Sequence, residues 1–278
     1  MPGPVPQTID VNRYPMAYVE TPAPADASGA PLLLVHGSLC DCRYFKPNMA
    51  PLGQRRRVIS VSLRHYWPEA WGGHDGTFSG EQHAEDLAAF VTALGVGPVH
   101  MLGHSRGGYV ALRTALLAPD TVRSLILADP GVEISGGPAQ TPLDRERGSF
   151  REQALAAIES GDIDGGLAIF IDTVSGPDTW RRMVPWFKQM VRDNAHTLIG
   201  QVAEPRTPLP IDALGALHAP VLLMGGAQSP APYPDVLNAL ACAMPEARRM
   251  VIQDASHGMN LANPIAFHRA VDAFLGND

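Results

Sequence analysis

Cysteine, aromatic side chains and long apolar segments are all scarce in this chain. Its 278 residues include three cysteines, Cys40, Cys42 and Cys242, and only 6% of its residues are aromatic. Because an odd number of cysteines without zinc-type spacing favours neither a disulfide framework nor a zinc site, we expect reduced thiols in a cytoplasmic protein. No apolar run approaches the ~18 residues of a membrane helix, and the N-terminus lacks the basic and apolar regions of a signal peptide, so no membrane partner is expected.

Positive charge is scarce as well. The 21 Lys and Arg residues are outnumbered by 28 Asp and Glu residues, which gives a formal net charge of −7. An acidic chain has no basic field to attract phosphate groups, so nucleic acid is not an expected partner. A hydrophobic content of 45% is that of an ordinary globular protein, and the expected partner is a small-molecule substrate. The sequence leaves a homodimer open.

Short apolar runs alternate with helical patterns along most of the chain. The helical patterns are Glu81–Leu94, Gly107–Leu117 and Pro234–Ala243, and residues 5–20 are expected to form an edge hairpin. The alternation predicts an α/β fold with a doubly wound, mostly parallel sheet. The apolar runs, each short and bounded by turns like a strand buried on both faces, are 31–35, 58–62, 98–102, 122–128, 220–225 and 247–252.

The alternation breaks between residues 131 and 218. Four helical patterns follow one another there with no strand expected between them: 147–160, 166–174, 179–191 and 194–203. A single crossover does not need four helices, so we expect residues 131–218 to form a helical cap inserted into a core of residues 1–130 and 219–278. A cap in this position excludes water and shapes a substrate pocket.

The pentapeptide Gly103-His104-Ser105-Arg106-Gly107 lies between an apolar run and a helical pattern. In that context Gly-x-Ser-x-Gly is typical of a nucleophile elbow, in which small residues flank a serine on a sharp, strained turn. The Ser105 hydroxyl then projects above the sheet. The backbone N–H of Arg106 lies at a helix N-terminus, where it can donate to a developing oxyanion. Ser105 is therefore the expected nucleophile.

Two further segments agree with this elbow. The apolar run at 31–35 ends in His36-Gly37, and the backbone N–H of Ser38, or otherwise that of Leu39, is the expected second oxyanion donor. His257 lies between the last apolar run and the C-terminal helical pattern, where a general base belongs. The expected order of the catalytic residues along the chain is serine, acid, histidine, which matches this architecture and neither the trypsin-like nor the subtilisin-like order.

On these motifs the chain resembles the α/β-hydrolase superfamily over nearly its whole length, from about Met16 to the final helix. The resemblance implies a serine hydrolase without a cofactor: Ser105 attacks a carbonyl, His257 transfers the proton, and a carboxylate orients the histidine. The implied substrates are small or medium carboxylic esters, lactones, or related amide or C–C bonds. Haloalkane dehalogenase and epoxide hydrolase activities are not expected, because both need a carboxylate at the elbow.

The acid departs from the common family pattern. Most superfamily members carry it a few residues past the seventh strand, where this chain has Gln228 and Ser229, and neither can serve as the anion. Some family branches place the acid after the sixth strand, which makes Asp129 the expected triad acid. The alternatives that stay open are Asp235, which the start of a helix also explains, Glu133 and Asp254.

Substrate contacts are expected from Leu39 beside the oxyanion turn and from Trp180 and Trp186 in the cap. Met183, Phe187 and Met190 are further candidates, although apolar side chains at helical spacing usually serve to pack the cap onto the core. Arg64 retains the arginine of a family loop motif. Together with Arg106 it is a candidate to bind an anionic group, or else to hold loops and carboxylates in place.

Two other functions stay open. Some cofactor-free dioxygenases share this fold, keep an elbow serine, and use a histidine with an acid after the sixth strand to deprotonate a hydroxylated aromatic substrate. A non-catalytic member of the superfamily is the third hypothesis. The substitution Ser105→Ala separates the two enzymes, because it abolishes hydrolysis and only weakens a dioxygenase.

Overall fold

A computed structural model describes residues 5–25, 29–73, 76–135, 148–205 and 207–276. Within these ranges there are ten strands: β1 (Gln7–Val11), β2 (Tyr14–Thr21), β3 (Leu32–Val35), β4 (Val58–Val61), β5 (Val99–His104), β6 (Val122–Ala128), β7 (Ile134–Ser135), β8 (Leu209–Pro210), β9 (Val221–Gly226) and β10 (Arg248–Ile252). Eight of them form one sheet in the order β1-β2-β4-β3-β5-β6-β9-β10. The pairings of β2 with β1 and with β4 are antiparallel, and the others in this sheet are parallel.

The helices of the described residues are α1 (Lys46–Leu52), α2 (Gly80–Leu94), α3 (Arg106–Leu117), α4 (Gly148–Glu159), α5 (Ile163–Ser175), α6 (Thr179–Arg182), α7 (Pro185–Asp193), α8 (Thr197–Ala203), α9 (Ile211–Leu214), α10 (Tyr233–Ala243), α11 (Met259–Ala262) and α12 (Pro264–Leu275). The predicted edge hairpin, core strands and crossover helices are confirmed to within one or two residues. None of these helices has the length and hydrophobicity that crossing a bilayer requires.

Burial on both faces explains why the apolar runs form the sheet. Side chains alternate between the faces along a strand, and every residue of β3 is buried. Leu33 and Val35 pack into a cluster that includes residues of α2, α3 and α10. Leu32 and Leu34 pack into a second cluster with residues of α1 and α12. A central strand with both faces covered is what a doubly wound sheet requires.

Helices α4 to α8, called the inserted helices below, lie between β6 and β9 in the chain. The predicted helix over 179–191 is two helices, because Val184 before Pro185 is extended (φ −67°, ψ 150°), as the residue before a proline usually is. The parallel pair of β7 and β8 flanks the inserted helices and was not predicted. The start of the first predicted helix, residue 147, lies outside the described residues.

Candidate active site

Ser105 occupies a sharp turn between β5 and α3. Its φ of 54° and ψ of −121° are strained for a residue with a side chain. A Cβ on Gly103 would collide with the Gly107 backbone, and a Cβ on Gly107 would collide with the Val35 carbonyl oxygen. The Ser105 N–H donates to the Ala128 carbonyl oxygen at 3.0 Å, which ties the turn to the next strand. This backbone has the geometry that the elbow motif predicts.

Two backbone N–H groups beside Ser105 are available to a ligand. Among the described residues, the N–H groups of Ser38 and Arg106 donate to no protein acceptor. Both residues line a cavity together with Ser105. Leu39 also has a positive φ of 58°, but its side chain is fully buried in the second cluster of the fold. It lines neither of the two cavities described below. The structure therefore does not place the Leu39 side chain at either cavity, where a substrate contact was expected.

His257 and Asp129 come together across the C-terminal edge of the sheet. Asp129 directly follows β6 with a φ of 40°, and His257 lies in the loop between β10 and α11. Their Nδ1 and Oδ2 atoms are 3.3 Å apart, and both side chains are buried. Because a carboxylate only accepts hydrogen bonds, this contact puts a proton on the histidine Nδ1.

The electrostatic environment of Asp129 is set mainly by burial. Removal from water raises the pKa of its carboxyl group from 3.8 to about 6. The Ser229 hydroxyl and the Gly226 backbone N–H lower that pKa and so limit the increase. The carboxylate is therefore the dominant form above about pH 6, and it is lost as the pH falls through that value.

Ser229 contacts this carboxylate, a role that the sequence did not reveal. Its Oγ donates to Asp129 Oδ2 at 2.5 Å, and this is the same oxygen that faces His257. β6 and β9 are neighbours in the sheet, so residues just past their ends lie side by side. The position of Ser229 in the sequence could have indicated this contact, because Ser229 stands where most of the superfamily carries the acid.

The other candidate acids lie in different surroundings. Asp235 is exposed in the first turn of α10, where a carboxylate stabilises the helix N-terminus. Asp254 is exposed with a φ of 54°, and Glu133 is half-buried along the smaller cavity described below. An exposed carboxylate is solvated and gives a histidine little orientation, so the position of Asp129 suits the acid better.

Aromatic residues hold His257 from two sides. The Tyr233 ring stacks on its imidazole at 4.0 Å between centroids and 17° between planes. His104, the elbow residue before Ser105, donates from Nε2–H to the His257 carbonyl oxygen at 2.8 Å. Burial lowers the pKa of His104 to about 3, so it stays neutral at physiological pH. Tyr44 stacks on His104 in turn, with ring centroids 5.1 Å apart.

Two cavities meet at Ser105. The larger, called the apolar cavity, has a volume of about 620 Å³ and is also lined by His257. The smaller, called the polar cavity, has a volume of about 130 Å³. Ser38, Ser105 and Val174 line both. The main apolar contacts of the larger cavity are Cys40, Tyr44, Phe170, Ile171, Met183 and Phe187. The charged and amide side chains of the smaller one are Arg106, Glu133, Arg151, Gln201 and Glu204.

Three further residues expected at the substrate lie elsewhere. Trp180 is buried within the second cluster, the one that contains Leu32 and Leu34, and Trp186 is 40% exposed on the surface. Arg64 binds both oxygens of Asp86 through Nε and Nη2 and lies over the Tyr14 ring. None of the three lines either cavity. Of the further candidates, Met183 and Phe187 line the apolar cavity, whereas Met190 is buried away from it.

The Arg106 side chain is engaged by a carboxylate. Its Nη1 and Nη2 donate to Glu204 at 2.5 and 3.1 Å, and its guanidinium lies 4.8 Å from the Phe78 ring centre. Glu204 directly follows α8, and its Oε1 also accepts from the Gly80 N–H at the start of α2. Of the two roles considered for Arg106, pairing with a carboxylate is the one observed. The partner comes from the inserted helices rather than from the core.

A mostly parallel sheet, a strained serine turn after β5 and a buried acid–histidine pair at the same edge define the class of the α/β hydrolases. A family model described as the alpha/beta hydrolase family matches residues 32–270. The chain belongs to that family, as its motifs predict, and its enzyme class is hydrolase.

Individual known proteins resemble the chain at low identity. The sn-1-specific diacylglycerol lipase ABHD11 of Mus musculus is 24% identical over 97% of this chain and 88% of its own length. A putative carbamate hydrolase RutD of Azorhizobium caulinodans is 25% identical over 90% of this chain and 92% of its own length. The solved structure of carboxylesterase CesB from Bacillus subtilis has a TM-score of 0.79, 18% identity, and coverage of 99% and 92%, a likeness that concerns the fold.

Proposed function

We propose that the chain is a serine hydrolase that cleaves carboxylic esters, or related lactones and amides, through an acyl-enzyme. The observation that carries this proposal is that the strained Ser105 turn and His257, which is paired with the buried Asp129, line one cavity. Two of the similar proteins described above are named as a diacylglycerol lipase and a putative carbamate hydrolase, and both names denote hydrolases.

Ser105, His257 and Asp129 are the proposed triad. Ser105 Oγ attacks the carbonyl carbon while His257 takes its proton, and the N–H groups of Ser38 and Arg106 stabilise the oxyanion. The intermediate collapses, the bond to the leaving group breaks, and His257 protonates the departing oxygen or nitrogen. Water then attacks the acyl-enzyme with His257 as base, which releases the carboxylic acid and restores Ser105. Asp129 stays ionised and stabilises the imidazolium.

Residues 131–218 are the proposed cap over this site. The inserted helices supply Phe170, Ile171 and Phe187 to the apolar cavity, and Met183, between α6 and α7, also lines it together with Ser38 of the core. A wall of apolar side chains keeps bulk water away from the acyl-enzyme and strengthens the electrostatic interactions at the oxyanion.

The proposal is tested by labelling with a fluorophosphonate probe followed by intact-mass analysis. The wild-type chain is expected to gain one adduct, and Ser105→Ala none. Ser160→Ala is the matched control, because Ser160 is exposed at the end of α4 and lines neither cavity. Absence of an adduct on the wild type and on Ser160→Ala would count against an activated serine.

A cofactor-free dioxygenase is the second candidate, favoured by an acid that follows β6 rather than β9. Oxygen consumption with hydroxylated heteroaromatic compounds tests it. Consumption that survives in Ser105→Ala would support the dioxygenase, because its base is the His257–Asp129 pair.

A further inference from the structure

We propose that the two cavities divide the substrate: the acyl group enters the polar cavity and the leaving group enters the apolar cavity. This inference rests on the proposed function, since it needs an acyl-enzyme on Ser105. It names the substrate class as neutral esters of a short acid with a longer apolar alcohol.

The position of His257 determines which cavity receives the leaving group. A triad histidine gives its proton to the departing atom, so that atom must be on the side of the histidine. Within the described part of the chain, His257 lines the apolar cavity and does not line the polar one. Tyr233, which stacks on the imidazole at 4.0 Å, does line the polar cavity and therefore stands between it and His257. The departing oxygen thus points into the apolar cavity.

The size and lining of the cavities determine which groups they accept. The apolar cavity, at about 620 Å³, has room for an extended alkyl or aryl group against Phe170, Ile171 and Phe187. The polar cavity, at about 130 Å³, is much smaller and accommodates only a short acyl chain. A longer acyl chain would have to displace buried side chains such as Gln201 and Val236, which line that space.

The charges along the polar cavity favour a neutral acyl group. Arg106 is paired with Glu204 at 2.5 Å, so its charge is already compensated. The remaining charged residues along the cavity are Glu133 and Arg151, one of each sign. An anionic acyl group would be attracted to one of these and repelled by the other, and it would lose its hydration on entry. A small neutral group is accepted without that cost.

Val174 is the apolar side chain shared by both cavities. It lies near the end of α5, is 7% exposed, and lines the two cavities together with Ser38 and Ser105. Shortening it to alanine removes part of the boundary between the cavities. That change is expected to give longer acyl chains more room.

The experiment compares two constitutional isomers, hexyl acetate and ethyl hexanoate, which have the same atoms and differ in the side of the ester that carries the long chain. Wild-type kcat/KM is expected to favour hexyl acetate by on the order of tenfold or more, since each methylene in a suitable pocket changes the rate by that order. In Val174→Ala the ratio of kcat/KM for hexyl acetate to kcat/KM for ethyl hexanoate should fall toward one. Val191→Ala is the matched control, because Val191 is fully buried on α7 and lines neither cavity.

Equal rates for the two isomers, or a preference for ethyl hexanoate, would overturn the division while leaving the hydrolase intact. The fluorophosphonate adduct on Ser105 separates this result from failure of the function itself. If neither ester reacts and Ser105 takes no label, the proposed function and the inference fall together. If Ser105 takes the label but neither isomer reacts, the ester class named here is wrong.

Discussion

Asp129 and Ser229 follow the neighbouring strands β6 and β9, and their side chains are hydrogen-bonded to each other. The proposed triad acid, Asp129, directly follows β6, and Ser229, in the turn after β9, supplies a hydroxyl that donates to it at 2.5 Å. Desolvation raises the pKa of the Asp129 carboxyl group, so its ionisation depends strongly on each hydrogen-bond donor to the carboxylate. Oδ2 contacts both Ser229 and His257. Ser229 thus keeps the acid ionised as well as fixed in place.

Ser229→Ala is expected to move the acidic limb of the pH profile of kcat/KM to higher pH. Loss of the hydroxyl removes a contribution that lowers the pKa of Asp129, so that pKa rises further above about 6. The carboxylate is the active form, and activity is lost as the pH falls through its pKa. The other titratable groups facing Asp129 are His257, His104 and Tyr44, and none of them is changed.

Ser229→Thr keeps the hydroxyl and is the matched control, with an expected profile close to that of the wild type. An acidic limb that stays in place in Ser229→Ala would show that the contact is only structural. A uniform loss of rate at all pH values would lead to the same conclusion.

Asp129→Asn is expected to lower kcat by on the order of 10⁴-fold, because asparagine does not stabilise an imidazolium and allows the wrong tautomer. The free energy of unfolding should not fall with it. The folded-state pKa of Asp129 lies above its ordinary value, so its contribution to stability is present at low pH and is lost as the pH rises from about 4 to about 6. The asparagine variant should therefore gain stability relative to the wild type across that interval.

Asp235→Asn is the matched control for that substitution, because Asp235 is exposed at the start of α10. It should leave kcat nearly unchanged. Denaturant unfolding over a pH series and steady-state kinetics on the same preparations measure both quantities. The reverse pattern, with the larger loss in Asp235→Asn, would remove Asp129 from the triad.

At the scale of elements, Glu204 connects three helices. It directly follows α8, pairs with Arg106 at the start of α3, and accepts from the Gly80 N–H at the start of α2. Both charged side chains are only 10% exposed. Arg106 also follows Ser105 directly, so this ion pair joins the inserted helices to the turn that carries Ser105.

Glu204→Gln is expected to lower the free energy of unfolding by up to about 3–5 kcal/mol, because it leaves the largely buried Arg106 charge, 10% exposed, without its counterion. The control is Asp164→Asn, which breaks the exposed pair with Arg192 at 2.7 Å and should cost less than ~1 kcal/mol. Denaturant unfolding of both variants measures the difference. Similar losses in the two would mean that burial does not strengthen the dependence on Glu204.

The elements that the sequence predicts well are those with one strong signal. Core strands β3 and β5 are buried along their whole length, and β3 appears in the sequence as a continuous apolar run. The pair of β7 and β8 is only two residues long in each strand, which is too short for any periodicity.

Substrate contacts were hard to assign from the sequence for a different reason. Trp180 in the core and Phe187 in the cavity have the same apolar character in the sequence, and only the packing of the helices separates them.

At the scale of the whole molecule, the candidate site is assembled from segments far apart in the chain. Ser105, Asp129 and His257 follow β5, β6 and β10, which are parallel strands of one sheet. The C-terminal ends of parallel strands share an edge, so the sequence could predict that these residues meet. The hydroxyl of Ser229 could not be assigned in the same way, because its orientation depends on the turn after β9.

The inserted helices and the core share one apolar cluster. Leu34, Leu102 and Ile126 of the sheet belong to the same cluster as Phe170 and Met190 of the inserted helices. Moving these helices away from the sheet would expose core side chains, at a cost of about 25 cal/mol per Å² of apolar surface. The proposed cap is therefore part of the folded core rather than a separate layer resting on it.

The contact between Ser229 and Asp129 also determines what a second carboxylate in the turn after β9 would do. The substitution Ser229→Asp would bring a carboxylate to the oxygen of Asp129 that Ser229 now contacts. At hydrogen-bond distance two carboxylates do not both ionise, so the pair would share a proton and keep a single negative charge beside His257. One negative charge is what the proposed triad requires, so a chain with both carboxylates would still present a suitable acid to the histidine.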